Sequence, residues 1–151
     1  MDPDRKNGAQ YSADGMNTTA RQMTSDPTLK VLLVEDSKVL AARLMELLDQ
    51  LPVVEVLGHV DNEHDAIGLL RRKSVDVVIL DLQLRQGTGF GVLRALSSAA
   101  RCKPHILVLT NYDLPEYRRE ATQLGADFFL DKSREYHRVT EILEEIAESI
   151  S

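Results

Sequence analysis

The stretch Val75-Asp76-Val77-Val78-Ile79-Leu80-Asp81-Leu82-Gln83-Leu84 decides the fold. Residues 75–80 are apolar apart from Asp76, the pattern of a strand buried on both faces of a sheet. The run stops at a carboxylate, Asp81. Upstream, residues 62–72 have helical spacing, with Asn62 as N-cap and Ala66, Ile67 and Leu70 facing inward. Before that helix, residues 53–60 predict a strand. Residues 37–51 predict a helix with Leu40, Leu44, Leu47, Leu48 and Leu51 on one face, and residues 29–34 a strand holding one lysine. Downstream, residues 88–100 predict a helix and 105–109 a strand. Asp113-Leu114-Pro115-Glu116 has the form of a capping box, opening a helix that stops at Gly125. Residues 126–130 predict a fifth strand. Residues 133–149 predict a closing helix with Tyr136, Val139, Ile142, Leu143, Ile146 and Ile150 on one stripe. Strand and helix thus alternate five times, which predicts an α/β fold with a parallel sheet covered on both faces and right-handed crossovers.

Composition bounds the rest. The 151 residues, 43% hydrophobic and 28% charged, suit one domain that folds without disulfides. The single cysteine, Cys102, excludes an internal disulfide or zinc cluster of the usual spacing and fits a reducing, cytoplasmic setting. A net charge of −6 speaks against a nucleic-acid surface. No apolar run has the length of a membrane span, and no secretory signal is visible at the N-terminus. Residues 1–28 contain no Val, Ile, Leu or Phe. Residues 1–27 are therefore expected to be a disordered tail and residues 28–151 the single, stand-alone domain.

The polar residues are placed by that frame. Glu35 and Asp36 follow the first strand, Asp81 the third, Thr110 the fourth, and Lys132 the fifth by two residues. All lie at carboxyl ends of strands, the edge where open parallel sheets bind ligands. A strand order of 2-1-3-4-5 would bring them into one pocket. Two carboxylates about 5 Å apart at an effective dielectric near 20 repel by roughly 3 kcal/mol. A hard divalent cation relieves that repulsion, and Mg²⁺ combines carboxylates with water and phosphate oxygens. Lys132 supplies a compact positive charge for a phosphate and Thr110 a hydroxyl donor. Asp81, expected to be the most exposed carboxylate at the middle strand, is the natural nucleophile for phosphorus, giving an acyl phosphate on the protein itself.

Five segments carry a family resemblance. They are Val31-Leu32-Leu33-Val34-Glu35-Asp36-Ser37, Val77-Val78-Ile79-Leu80-Asp81-Leu82-Gln83-Leu84, Gly87-Thr88-Gly89-Phe90, Ile106-Leu107-Val108-Leu109-Thr110 and Gly125-Ala126-Asp127-Phe128-Phe129-Leu130-Asp131-Lys132. In this order and spacing they resemble the receiver domain of two-component response regulators, as in the chemotaxis regulators, over residues 28–151. The resemblance implies a flavodoxin-like (βα)5 fold in which Asp81 is the phosphoacceptor. It implies Asp36 and Asp81 as Mg²⁺ ligands, Glu35 as a neighbour acting through water, and the Gln83 backbone carbonyl as a further ligand. Thr110 and Phe129 match the switch pair, and Lys132 matches the lysine that pairs with the phosphoryl group. The implied donor is a sensor histidine kinase or histidine phosphotransfer protein. The implied output is a change of protein partner on the face of helix four, strand five and helix five, which also leaves a homodimer open. Such a domain catalyses only its own phosphorylation and dephosphorylation. Ser133 and Arg85 stand where many members carry proline, Asn111 replaces a small residue, and Tyr112 adds bulk where dephosphorylation is often tuned.

Each residue also has a plainer reading. Asp36 before Ser37 could simply cap a helix, and Asp81 could start a turn. Thr110 alone would be a strand end, Lys132 a solvated lysine and Phe129 a packing residue. His59, His64, His105 and His137 show no metal-ligand spacing. Gly87 and Gly89 lack the Walker lysine, so a turn explains them. Three other functions compete with the phosphorylated switch. A haloacid-dehalogenase-type hydrolase would want an aspartate where Gln83 stands. The others are a relay intermediate and a phosphorylation-independent scaffold.

Overall fold

The computed structural model describes residues 28–99 and 103–150. The expected tail, residues 1–27, lies outside the described residues, as do Cys102 and Ala100. The elements alternate as expected: β1 (Leu29–Val34), α1 (Lys38–Asp49), β2 (Val54–Val60), α2 (Glu63–Arg72) and β3 (Val77–Leu80). They continue with α3 (Gly89–Ser97), β4 (His105–Thr110), α4 (Pro115–Gln123), β5 (Phe128–Asp131) and α5 (Arg138–Ile150). The five strands form one sheet in the order β2-β1-β3-β4-β5, and every pairing is parallel.

The period of two along a strand divides the core. Val31, Leu33, Val77, Ile79, Leu107 and Leu109 face α1 and α5, and meet Leu44, Leu48, Ile142 and Leu143. Leu32, Val34, Val78, Leu80, Ile106 and Val108 face α2, α3 and α4, and meet Ala66, Val92, Leu93 and Ala121. With both faces covered, the sheet leaves its carboxyl rim open for polar residues.

Local signals explain the helix ends. Ser37, Asn62 and Thr88 each accept a backbone N–H three residues on, as N-caps do. Gly125 takes φ 108° just beyond α4, a left-handed conformation that glycine adopts without a Cβ penalty. Three expectations are corrected. The capping box at Asp113 does not form: α4 begins after Leu114 with no side-chain cap, and Asp113 binds two arginines instead. Residues 133–137 do not belong to α5, because the Asp131 carboxylate draws Ser133 and Arg134 into a turn. Ile150 is 48% exposed and leaves the buried stripe, which ends at Ile146.

Candidate phosphoryl-transfer site

The acids are positioned by the two most central strands on their side of the sheet. Glu35 leaves β1 with its N–H donated to the Val60 carbonyl at 2.9 Å, and Asp81 leaves β3 with its N–H donated to the Val34 carbonyl at 3.0 Å. Glu35, Asp36 and Asp81 come together, with carboxylate oxygens all within 4.8 Å of one another. Asp36 does not cap α1, since Ser37 does. Asp81 is not the exposed carboxylate expected from the sequence. It is 4% exposed, because the loop after β3 folds back under α3, and Asp36 is the half-buried member that meets solvent.

That fold-back depends on Gly89. Its N–H donates to the Leu82 carbonyl at 2.9 Å, and a Cβ there would run into the Asp81 carbonyl oxygen and the Leu82 backbone. Gly87 sits at φ 80°, and the Glu63 carboxylate fills the space beside Gly87 and Gly91 while accepting the Thr88 N–H at 3.0 Å. Arg85 ties the same loop to the end of β2 through Asp61, at 3.1 Å and 3.4 Å.

Lys132 reaches back across the rim. Its ammonium lies 2.6 Å from Asp81 Oδ2 and 2.9 Å from Glu35 Oε1. Burial alone would push the lysine toward its neutral form. The two carboxylates outweigh it, raise its pKa and hold it charged. Burial also raises the Glu35 carboxyl, against the lowering pull of Lys132 and of the Ser37 N–H. The second Asp81 oxygen, Oδ1, accepts the Gln83 N–H at 3.1 Å. His59, which sequence reasoning left without a role, donates from Nε2 to the Glu35 carbonyl at 2.7 Å.

Thr110 lies at the same rim, fully buried, and its carbonyl accepts the Lys132 N–H at 2.9 Å. Its hydroxyl is turned to its own loop, where it accepts the Tyr112 N–H at 3.2 Å. Phe129 is half-buried under the Arg118 guanidinium, which stands 4.5 Å from its ring centroid. Arg118 also binds Asp113 at 2.9 Å, and Arg134 binds the other Asp113 oxygen at 2.8 Å. Tyr112 stacks on Tyr117 at 5.3 Å, beside the exposed Leu114. Asp113, Asp131 and Arg118 were missed from the sequence. The spacing of an acid two residues before a serine, at Asp131-Lys132-Ser133, is the signal that could have found one of them.

The donor set suits a hard cation. Three carboxylates of which one meets solvent leave an approach for Mg²⁺, and Lys132 neutralises only part of their charge. Among the described residues no helix is long and apolar enough to cross a membrane.

Comparison with known proteins agrees with this geometry. The family model for the response regulator receiver domain matches residues 31–144. The sensory transduction protein LytT of Bacillus anthracis is 31% identical over 115 residues, covering 76% of this chain and 46% of LytT. The probable transcriptional regulatory protein SilR of Salmonella typhimurium is 34% identical over 69% of this chain and 44% of its own length. The chain thus spans about half the length of the curated relatives it matches. Among solved structures, the response regulatory domain of mrkE from Klebsiella pneumoniae superposes with a TM-score of 0.72 at 26% identity, covering 80% of this chain and 97% of that one. The phosphorylated cyanobacterial phytochrome response regulator RcpA gives 0.68 at 25% identity, covering 80% and 92%. The chain belongs to the response regulator receiver domain family, the phosphorylation-dependent signalling module of two-component systems.

Proposed function

We propose that Asp81 is the phosphoacceptor of this receiver and that the modification changes which protein it binds. The observation that carries this reading is the meeting of Asp81, Asp36, Glu35 and the Lys132 ammonium at one rim, from three strands and nearly a hundred residues of chain. An Asp81 oxygen attacks the phosphorus of a phosphohistidine on a sensor kinase or phosphotransfer protein. The O–P bond forms as the P–N bond breaks, and the electron pair returns to the imidazole. Lys132, already aimed at Asp81 Oδ2, pairs with the incoming phosphoryl oxygens. Asp36 and Asp81, with the Gln83 carbonyl and with Glu35 through water, would hold Mg²⁺. When bound, the ion neutralises the acid cluster and the transferring charge. Thr110 turns its hydroxyl from Tyr112 toward the phosphoryl group, and Phe129 repacks with it. The output partner docks on α4, β5 and α5, next to the loop into α4 on which Tyr112 and Leu114 are exposed.

A switch accumulates at most one covalent phosphoryl group per chain, whereas a hydrolase turns over. Incubation with acetyl phosphate and Mg²⁺ is expected to incorporate up to one phosphoryl group per chain. Repeated cleavage of p-nitrophenyl phosphate without such incorporation would overturn the reading. Metal use is read separately by heat. Mg²⁺ at a hundredfold over its Kd stabilises a native site by about 2.7 kcal/mol. Asp36→Ala is expected to lose most of that gain, and an undiminished gain would remove Asp36 from the ligand set.

A further inference from the structure

We propose that Asp131 is a positioning residue for Lys132, folding residues 131–135 into a hydrogen-bonded turn that fixes the direction in which the lysine leaves the sheet. The proposal rests on the reading of Lys132 as the group that handles the phosphoryl oxygens. Lys132 lies one residue beyond the end of β5, where the strand ladder no longer holds the chain. Its N–H is tied to the Thr110 carbonyl, but no strand pairing directs the chain beyond that bond. A lysine side chain is long and flexible, so its ammonium stays between Asp81 and Glu35 only if its backbone is held.

Asp131 supplies that hold. Its Oδ1 accepts the Ser133 N–H at 2.8 Å, the Ser133 O–H at 2.6 Å and the Arg134 N–H at 3.2 Å. Its Oδ2 lies 3.4 Å from the Arg134 guanidinium. The turn is closed from the other side: the Glu135 carboxylate accepts the Asp131 N–H at 2.9 Å, and the Glu135 N–H donates to the Asp131 carbonyl at 2.8 Å. The backbone on both sides of Lys132 is therefore bound through Asp131. A helix cap is not the purpose, because α5 begins only at Arg138. The bonds from Ser133 and Arg134 hold the Asp131 carboxyl at a pKa of about 2, so the acceptor is ionised throughout the physiological range.

The test reads the ammonium directly. In the full-length ¹⁵N-labelled chain without any phosphodonor, the Lys132 ammonium should give a slowly exchanging NMR signal, assigned by its loss in Lys132→Arg. Asp131→Ala should collapse that signal and slow labelling of Asp81 by acetyl phosphate on the order of tenfold. Asp131→Asn, which keeps an oxygen acceptor for Ser133, should retain the signal and most of the rate. An unchanged signal in Asp131→Ala, or equal loss in both variants, would overturn the proposal. Should Asp131→Ala fail to fold by circular dichroism, Ser133→Ala decides: a weakened signal supports the role and an unchanged one contradicts it. A wild-type chain that takes no label refutes the phosphoacceptor reading instead, and the ammonium signal still decides the role of Asp131.

Discussion

At the ends of β1 and β3 the acids are carried by central strands whose backbones bond to neighbours on both sides, so Glu35 and Asp81 are placed before any side chain acts. Strand β5 is the open edge of the sheet, and Thr110, at the end of β4, pairs only toward it, because the β3 register stops at Val108. There side-chain bonds supplement the one-sided backbone pairing of Thr110, Phe129 and Lys132, from Thr110 to the Tyr112 N–H, from Arg118 to Phe129 and through Asp131, with Asp113 joining Arg118 to Arg134. The difference matches the division of labour in a switch. On the proposed reading, a nucleophile and the ligands of a metal need fixed geometry, whereas a hydroxyl and an aromatic that would change partners need bonds that break at modest cost.

Lys132 joins the two sides, and its removal should have the largest effect. Lys132→Ala leaves Glu35 and Asp81 buried without their cation, which costs about 3 kcal/mol in urea denaturation without Mg²⁺. Millimolar Mg²⁺ should recover much of that loss, and equal losses with and without the metal would break the link between the two sides. Next comes the rigidity of the acid side. Gly89→Ala drives a methyl group into the backbone at Asp81 and Leu82, so a loss of about 2 kcal/mol is expected. A neutral result would mean that this loop yields as readily as the other side.

The central strands were legible in the sequence because burial on both faces forces continuous apolar runs such as Val77-Val78-Ile79-Leu80, and parallel pairing follows from alternating helices. The gathering of Glu35, Asp36, Asp81 and Lys132 followed from their places at strand ends once the strand order 2-1-3-4-5 was assumed. The burial of Asp81 did not, since it depends on how closely Gly89 lets α3 approach. The edge side was read less well. Asp113 looked like a capping residue, because spacing cannot show that two arginines from other segments, Arg118 and Arg134, compete for its oxygens. Helix α5 was placed five residues early, because Ser133 to His137 carry no strong breaker and the Asp131 turn that excludes them from the helix is a side-chain event.

The edge side should also show in acid. The Asp131 carboxyl is held at about 2 in the folded chain against an ordinary value of 3.8. The folded state thus binds fewer protons, and Asp131 contributes stability above about pH 4 that is lost as pH falls toward 2. Asp131→Asn should flatten the pH dependence of the denaturation midpoint across that window, and an unaltered slope would place the acid sensitivity elsewhere. The smallest effect is expected at Asp113. Its two arginines are well exposed, so Asp113→Ala should cost at most about 1 kcal/mol. Yet it should release Arg118 from one partner and change the environment of the Phe129 ring, measurable by aromatic NMR shifts. A large loss of stability with an unmoved ring would invert the comparison.

The central claim is that one carboxylate, Asp81, receives the phosphoryl group at the rim where the acids and the lysine meet. Mass-spectrometric mapping after treatment with acetyl phosphate and Mg²⁺ tests it most directly. The wild-type chain should carry a base-labile phosphoryl group on Asp81, and Asp81→Asn should carry none there or on the neighbouring acids. Full labelling of Asp81→Asn, or a modified peptide that excludes Asp81 in the wild type, would contradict the account.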